Sequence, residues 1–261
     1  MISCLISALL AQAPVATAPG APPAAEPEAT ISGNVALGAI FLRGNSDTTS
    51  FTFGSAAQRK GATWIFGYKV SAAYGRSTDP STGVENTTAL NGGLSLRGDR
   101  RFNPGVAVYV EAAADTDHLK SIEARPTGEA GVSFQLVDVK ESDFQTEALR
   151  LDFGFRAGRE YRFQYYPTPV NLDDQTIAAP TAGFAFRYAF THDTIFSDEA
   201  VALVNIPDGP RLLLTNLVKL TTRLLQRLSF LASYGIAEDT SPPPGKKNLD
   251  TTLTFALEAT F

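Results

Sequence analysis

Nucleophilic hydrolysis needs a hydroxyl or thiol next to a base that a third polar group orients. This chain of 261 residues carries two histidines and one cysteine. His118 stands in Asp115-Thr116-Asp117-His118 with Ser121 three residues on, which places a Ser–His pair in one candidate loop. His192, between Thr191 and Asp193, reads as a turn residue. Asp115 and Asp117 offer oxygen ligands for Ca²⁺, but the ligand count is short and no glycine follows where a calcium loop needs one. Asp173-Asp174 reads as a solvated loop tip. Cys4 lies in the first few residues, so neither a disulfide framework nor a Cys-based metal site is expected. No catalytic residue, metal site or cofactor is expected from these groups, and a Ser121/His118 hydrolase ranks last among the functional readings.

A second chemistry is spread along the chain. Lys69, Arg97, Glu111, Glu129, Arg150, Asp152, Arg156, Arg187, Lys219 and Glu258 fall on the polar phase of an alternating pattern. Their mixed signs have two uses. Paired across facing strands, they brace an interior. Lining a water-filled path, they set its selectivity. Arg150 and Arg156, with Arg187 on a neighbouring strand, favour small anions unless Asp152 and Glu111 neutralise them.

The elements that must position these charges are strands. Apolar residues recur at every second position, which is the β signature. Trp64, Phe66, Tyr68, Val70, Ala72 and Tyr74 alternate with Ile65, Gly67, Lys69, Ser71 and Ala73. Leu149, Leu151, Phe153 and Phe155 alternate with Arg150, Asp152, Gly154 and Arg156, and Leu253, Phe255, Leu257, Ala259 and Phe261 close the chain in the same manner. Weaker alternation covers 31–43, 49–59, 128–136, 194–205, 211–223 and 228–237, and in 194–205 either face can be the apolar one. The count is about twelve strands, with ten or fourteen the alternatives. Many run 10–12 residues, whereas a bilayer-crossing strand needs about 9–11 and an ordinary soluble strand has about 5–6.

Composition narrows the class. The chain is 44% hydrophobic and 19% charged, with a mean hydropathy of −0.04. Beyond the N-terminus no stretch approaches the 18 or so apolar residues of a spanning helix, yet a barrel strand needs only alternate apolar residues. A net charge of −5 leaves no electrostatic footprint for nucleic acid. One face of the strands is Gly, Ala, Ser, Thr and charge, a poor soluble core that suits a wet lumen. Aromatics near strand ends (Phe41, Trp64, Tyr74, Tyr188, Phe190, Phe261) suit interfacial girdles. The expected fold is an all-β, antiparallel transmembrane barrel of the outer-membrane type.

Residues 1–13 read as a signal peptide, with an apolar core from Leu5 to Leu10 and Ala11-Gln12-Ala13 as a small-x-small cleavage site, although no Lys or Arg precedes the core. Residues 14–30 are a Pro/Ala-rich linker, and 31–261 the barrel. Connections after even-numbered strands are short (60–62, 99–104, 137–143, 191–193, 224–227), and the long ones, 77–86, 115–126, 161–180 and 238–250, follow odd strands. Outer-membrane barrels have short periplasmic turns and longer outer loops. Export, parity and loop asymmetry therefore agree on a Gram-negative outer membrane.

Several segments resemble the family of salt-induced outer membrane proteins (YdiY-like), whose domain is one of unknown function. They are Gly44-Asn45-Ser46-Asp47-Thr48 after a Gly-rich first strand, the aromatic strand from Trp64, the loop Pro242-Pro243-Pro244-Gly245, and Asp250-Thr251 opening a last strand that ends in Phe261. The resemblance covers roughly 33–261 and implies outer-membrane location without a settled activity. Phe261 on an alternating last strand is read as the signal for the barrel-assembly machinery, which would add that strand to a sheet edge. The expected surroundings are outer-membrane lipid, and the oligomeric state is open. The leading function is a narrow passive channel for small polar solutes. The alternative is a closed barrel with a structural or envelope-stress role.

Overall fold

The computed structural model describes residues 30–42, 47–78, 82–141, 144–166 and 168–261. The segments expected to be signal peptide and linker, up to residue 29, and the turn at Gly44-Asn45-Ser46 lie outside the described residues. The strands are β1 (Thr30–Leu42), β2 (Asp47–Lys60), β3 (Trp64–Thr78), β4 (Glu85–Asn103), β5 (Val106–Asp117), β6 (Ile122–Glu141) and β7 (Phe144–Gln164). After the two-residue β8 (Val170–Asn171) come β9 (Gln175–Ala189), β10 (Thr194–Asn205), β11 (Arg211–Leu225), β12 (Leu228–Asp239) and β13 (Leu249–Thr260).

Each long strand pairs antiparallel with the next long strand in sequence, β8 attaches only to β7, and β1 pairs with β13. The result is a closed, twelve-stranded antiparallel barrel of the outer-membrane type. Apart from the upper part of the β1–β13 seam, closure pairs the strand backbones with one another, as a spanning structure in lipid requires.

One end carries the tight connections 61–63, 104–105, 190–193 and 226–227, together with Thr30 and Phe261. We call it the turn end. The opposite, loop end is built differently from the expectation. β6 and β7 have 20 and 21 residues, about twice what a bilayer crossing needs. The expected loop 115–126 shrinks to a turn at 118–121, and 161–180 shrinks to 165–174 with β8 inside it. The reason is that the ladder continues above the apolar band. Out of lipid the outer face has no need to be apolar, so alternation fades while backbone pairing persists.

The outward face is an exposed apolar surface. Leu37, Val110, Phe66, Phe153 and Leu253 are each more than half exposed, an apolar area that water would not tolerate. Near the turn end Trp64 stacks on Phe66 at 5.7 Å, and the Arg100 guanidinium lies 5.8 Å from the Trp64 ring centre. Nearer the loop end Phe41 and Phe51 meet edge to face at 5.4 Å. Polar pairs also occur on this face, among them Asn216 Nδ2 donating to Asp198 Oδ1 at 2.6 Å and the Ser55 and Tyr68 hydroxyls at 3.2 Å.

On the inner wall Gly131 and Gly154 stand opposite each other on β6 and β7. A side chain at either would strike the Tyr109 ring or the neighbouring backbone. Tyr109 therefore lies flat against the wall and is 2% exposed, where an upright tyrosine would block the lumen.

Candidate functional site

The site is the lumen. A cavity of about 990 Å³ occupies its loop-end half, and one of about 640 Å³ occupies its turn-end half. Glu111 on β5, Arg156 on β7 and Val201 on β10 line both cavities, so the two halves meet there.

The turn-end half holds a chain of ion pairs. Arg97 Nη2 lies 2.8 Å from Asp99 Oδ1, and its Nη1 lies 2.9 Å from Asp152 Oδ2. Arg150 Nη2 reaches the same Asp152 carboxylate at 3.2 Å. The Arg97 guanidinium also sits 3.9 Å above the Tyr109 ring centre. The Tyr109 hydroxyl donates to Glu129, which accepts further from Arg156 Nε at 2.7 Å and from Thr181 Oγ1 at 3.0 Å. Arg156 is thus neutralised by Glu129, where the sequence pointed to Glu111, and Arg150 is neutralised by Asp152. The arginine pair is no open anion trap.

Lys69 has a different setting. Its Nζ lies 2.7 Å from Glu199 Oε2. β3 and β10 are six strands apart in either direction around the ring, so this pair joins opposite walls. The pair crosses the lumen as a bar. Its two side chains are 63% and 38% exposed, so water reaches them. Arg187 sits in register between Ala148 and Ser197, and Lys219 between Ser197 and Ser233, both in phase with the inward residues. Glu258 lies at the turn end of the β1–β13 seam, where it accepts from Asn34 Nδ2 at 2.7 Å.

Nearer the loop end the structure brings together residues that the sequence reading assigned to loops or passed over. Glu160 is fully buried and meets three arginines. Arg162 Nε lies at 2.5 Å, Arg125 Nη1 at 3.2 Å and Arg211 Nη1 at 3.3 Å. Arg125 turns its other nitrogens on Asp115 (2.7 Å), and Arg211 turns its own on Asp239 (2.5 Å). The Gln175 side-chain oxygen, Oε1, accepts from both Arg162 and Arg211 at 2.9 Å. Three cations face three anions, and the cluster ties β5, β6, β7, β9, β11 and β12 into one arc of wall.

The candidate catalytic and calcium groups are not assembled. His118 stacks on Tyr165 with ring centres 4.0 Å apart, and its contact with Ser121 is a backbone bond, Ser121 N to His118 O at 3.3 Å. Ser121 is buried at φ 62°, and its Oγ has no partner among the described residues. Asp115 is held by Arg125, and Asp117 Oδ1 accepts from the backbone of Leu119 and Lys120 (3.1 and 3.2 Å), closing the turn. Asp174 is no free tip, because it meets Arg159 at 3.3 Å and accepts from Arg162 N at 3.2 Å. His192 lies in the 190–193 turn.

A model of the family described as "Protein of unknown function, DUF481" matches residues 35–261. No curated protein matches the chain. Among solved structures, an outer membrane channel from Pseudomonas putida F1 aligns at 11% identity and a TM-score of 0.48, covering 93% of this chain and all of that one. The NanC porin aligns at 11% identity and a TM-score of 0.46, covering 89% of this chain and 99% of its own. The KdgM porin gives 8%, 0.41, 89% and 99%.

Proposed function

The chain belongs to the DUF481 family, whose description assigns no activity, and from its geometry we propose a narrow passive channel for small polar solutes in the outer membrane. The single observation that carries this reading is the pair of cavities that meet at Glu111, Arg156 and Val201. Twelve strands enclose more space than side chains fill in an eight-stranded barrel and far less than a 16-stranded porin. The turn-end cavity is lined by six cations (Lys60, Lys69, Arg97, Arg101, Arg150, Arg156) and six anions (Asp99, Glu111, Glu129, Asp138, Asp152, Glu199). A wall this balanced selects by size more than by sign. In this reading the loop end faces outward and outer-membrane lipid covers the apolar face. The strand ending at Phe261 is then the one that the assembly machinery engages.

The Lys69–Glu199 bar favours a second reading, a barrel closed at rest with a structural role. Planar-bilayer recording separates the two. The channel reading expects small unitary currents from purified, heat-modifiable barrels. Correctly folded protein that gives no unitary current overturns it.

A further inference from the structure

The seam between the first and last strands is half made. β1 and β13 form ladder pairs from Asn34↔Thr260 to Leu37↔Leu257, and Gly33 and Phe261 exchange two backbone hydrogen bonds at 3.0 Å below them. The β1–β13 ladder stops there. On their other sides the same strands remain paired to the top, β1 with β2 as far as Leu42↔Thr48 and β13 with β12 as far as Leu249↔Glu238. Among the described residues, Gly38–Leu42 and Leu249–Ala256 therefore each present one backbone edge with no ladder partner.

Gly38 marks where the strands part. The Phe255 carbonyl oxygen lies in the space that a Gly38 side chain would fill, so β13 leans across β1 at this level and leaves the register. Above it, consecutive residues from Gly38 to Ile40 and from Asp250 to Phe255 line the loop-end cavity. Unpaired backbone at membrane depth is tolerated only where it is buried in protein or borders water. These edges meet that condition by facing the cavity. Their other side faces lipid, beside Phe41, Leu253 and Phe255, which are 61%, 58% and 48% exposed.

Polarity across the seam is graded. Outward stand Phe41, Phe51, Leu253 and Phe255, and inward stand Ser50, Thr52, Thr252 and Thr254 in phase with the lumen. Lys120, Lys246 and Lys247 line the same cavity. We propose that the β1–β13 seam above Gly38 is a lateral portal through which a single-chain amphiphile with an anionic head passes between the membrane and the loop-end cavity. The acyl chain keeps contact with the aromatic rim while the head meets the hydroxyl and lysine wall. Lys120 already holds Asp250 at 3.1 Å across the cavity mouth, so the cations stand ready to exchange one carboxylate for another.

The test uses the full chain carrying Cys4→Ser, Trp64→Phe and Thr215→Trp, so that one tryptophan reports from β11 inside the cavity. Ile40→Cys and Thr254→Cys, opposite each other if the ladder continued, are joined by a dithiol-reversible bis-methanethiosulfonate. In phosphatidylcholine vesicles a brominated fatty acid should quench the tryptophan while the seam is free. Quenching should fall at least fivefold on cross-linking and return with dithiothreitol. An absence of quenching in the free barrel overturns the portal. So does quenching that the cross-link leaves unchanged, since the probe would then enter by the loop-end mouth. Cross-linking between two chains would assign the open edges to a second copy and also overturn it. The portal does not depend on ion conduction, so a barrel silent in planar bilayers yet quenched here keeps the portal and loses the channel.

Discussion

The Glu160 cluster and the Lys69–Glu199 bar are built from the same ionic chemistry and do opposite things. Glu160 is sealed from water among three arginines, and each cation has a further acceptor. Its role is to hold one arc of wall in register near the loop end. Lys69 and Glu199 meet in the open lumen with water on them, and they join walls that share no ladder. A buried pair is costly to break because the survivor stays charged without water. An exposed pair returns to solvent at almost no cost. Burial, and not charge, separates the bracing cluster from the bar across the lumen.

Glu160→Gln is the sharpest way to break that comparison. It removes the central carboxylate that three guanidiniums share and leaves them Asp115, Asp239 and neutral acceptors, and urea unfolding of the refolded barrel should show a loss of about 3–5 kcal/mol. A loss under 1 kcal/mol would mean that water reaches the cluster and that the two systems are alike. Gly131→Ala is the intermediate case. A methyl group there meets the Phe153 carbonyl, the Gly154 backbone and the Tyr109 ring. Overpacking of this kind should cost about 1–3 kcal/mol. It should also lift Tyr109 off the wall, which fluorescence quenching of Tyr109 by acrylamide in a background with the other tyrosines replaced would register.

Lys69→Ala and Glu199→Ala complete the comparison. Each should change stability by less than about 1 kcal/mol, since a solvated pair contributes little. Their effect belongs to transport. Removing the bar should raise unitary conductance severalfold, and restoring it with swapped charges (Lys69→Glu with Glu199→Lys) should lower it again. Equal conductance in all four barrels would place the ion path away from the bar.

The barrel was legible because lipid imposes a rule on sequence. Wherever a strand crosses the apolar band, the outward residue must be apolar, and Trp64–Tyr74 and Leu149–Phe155 obey in plain sight. The Glu160 cluster was not legible, because β6 and β7 rise past that band. Glu123 and Arg159 then occupy the outer phase, polarity appears on both faces, and the segment reads as loop although its backbone remains paired. The Lys69–Glu199 contact was hidden for another reason. Its partners are 130 residues apart, and Glu199 sits in a strand whose two faces have similar polarity. Alternation reports which wall a residue faces and carries no record of what stands across the lumen. The incomplete seam has no local signature either, since a strand pattern looks the same whether or not its edge is paired.

In the proposed channel, ions cross between the two cavities beside Glu111, Arg156 and Val201. The most direct measurement is thiol modification at that junction during recording. With Cys4→Ser and Glu111→Cys in a planar bilayer, a small methanethiosulfonate reagent added to either side should reduce the unitary current, and dithiothreitol should restore it. A thiol shown by mass to be modified while the current stays unchanged would contradict the account.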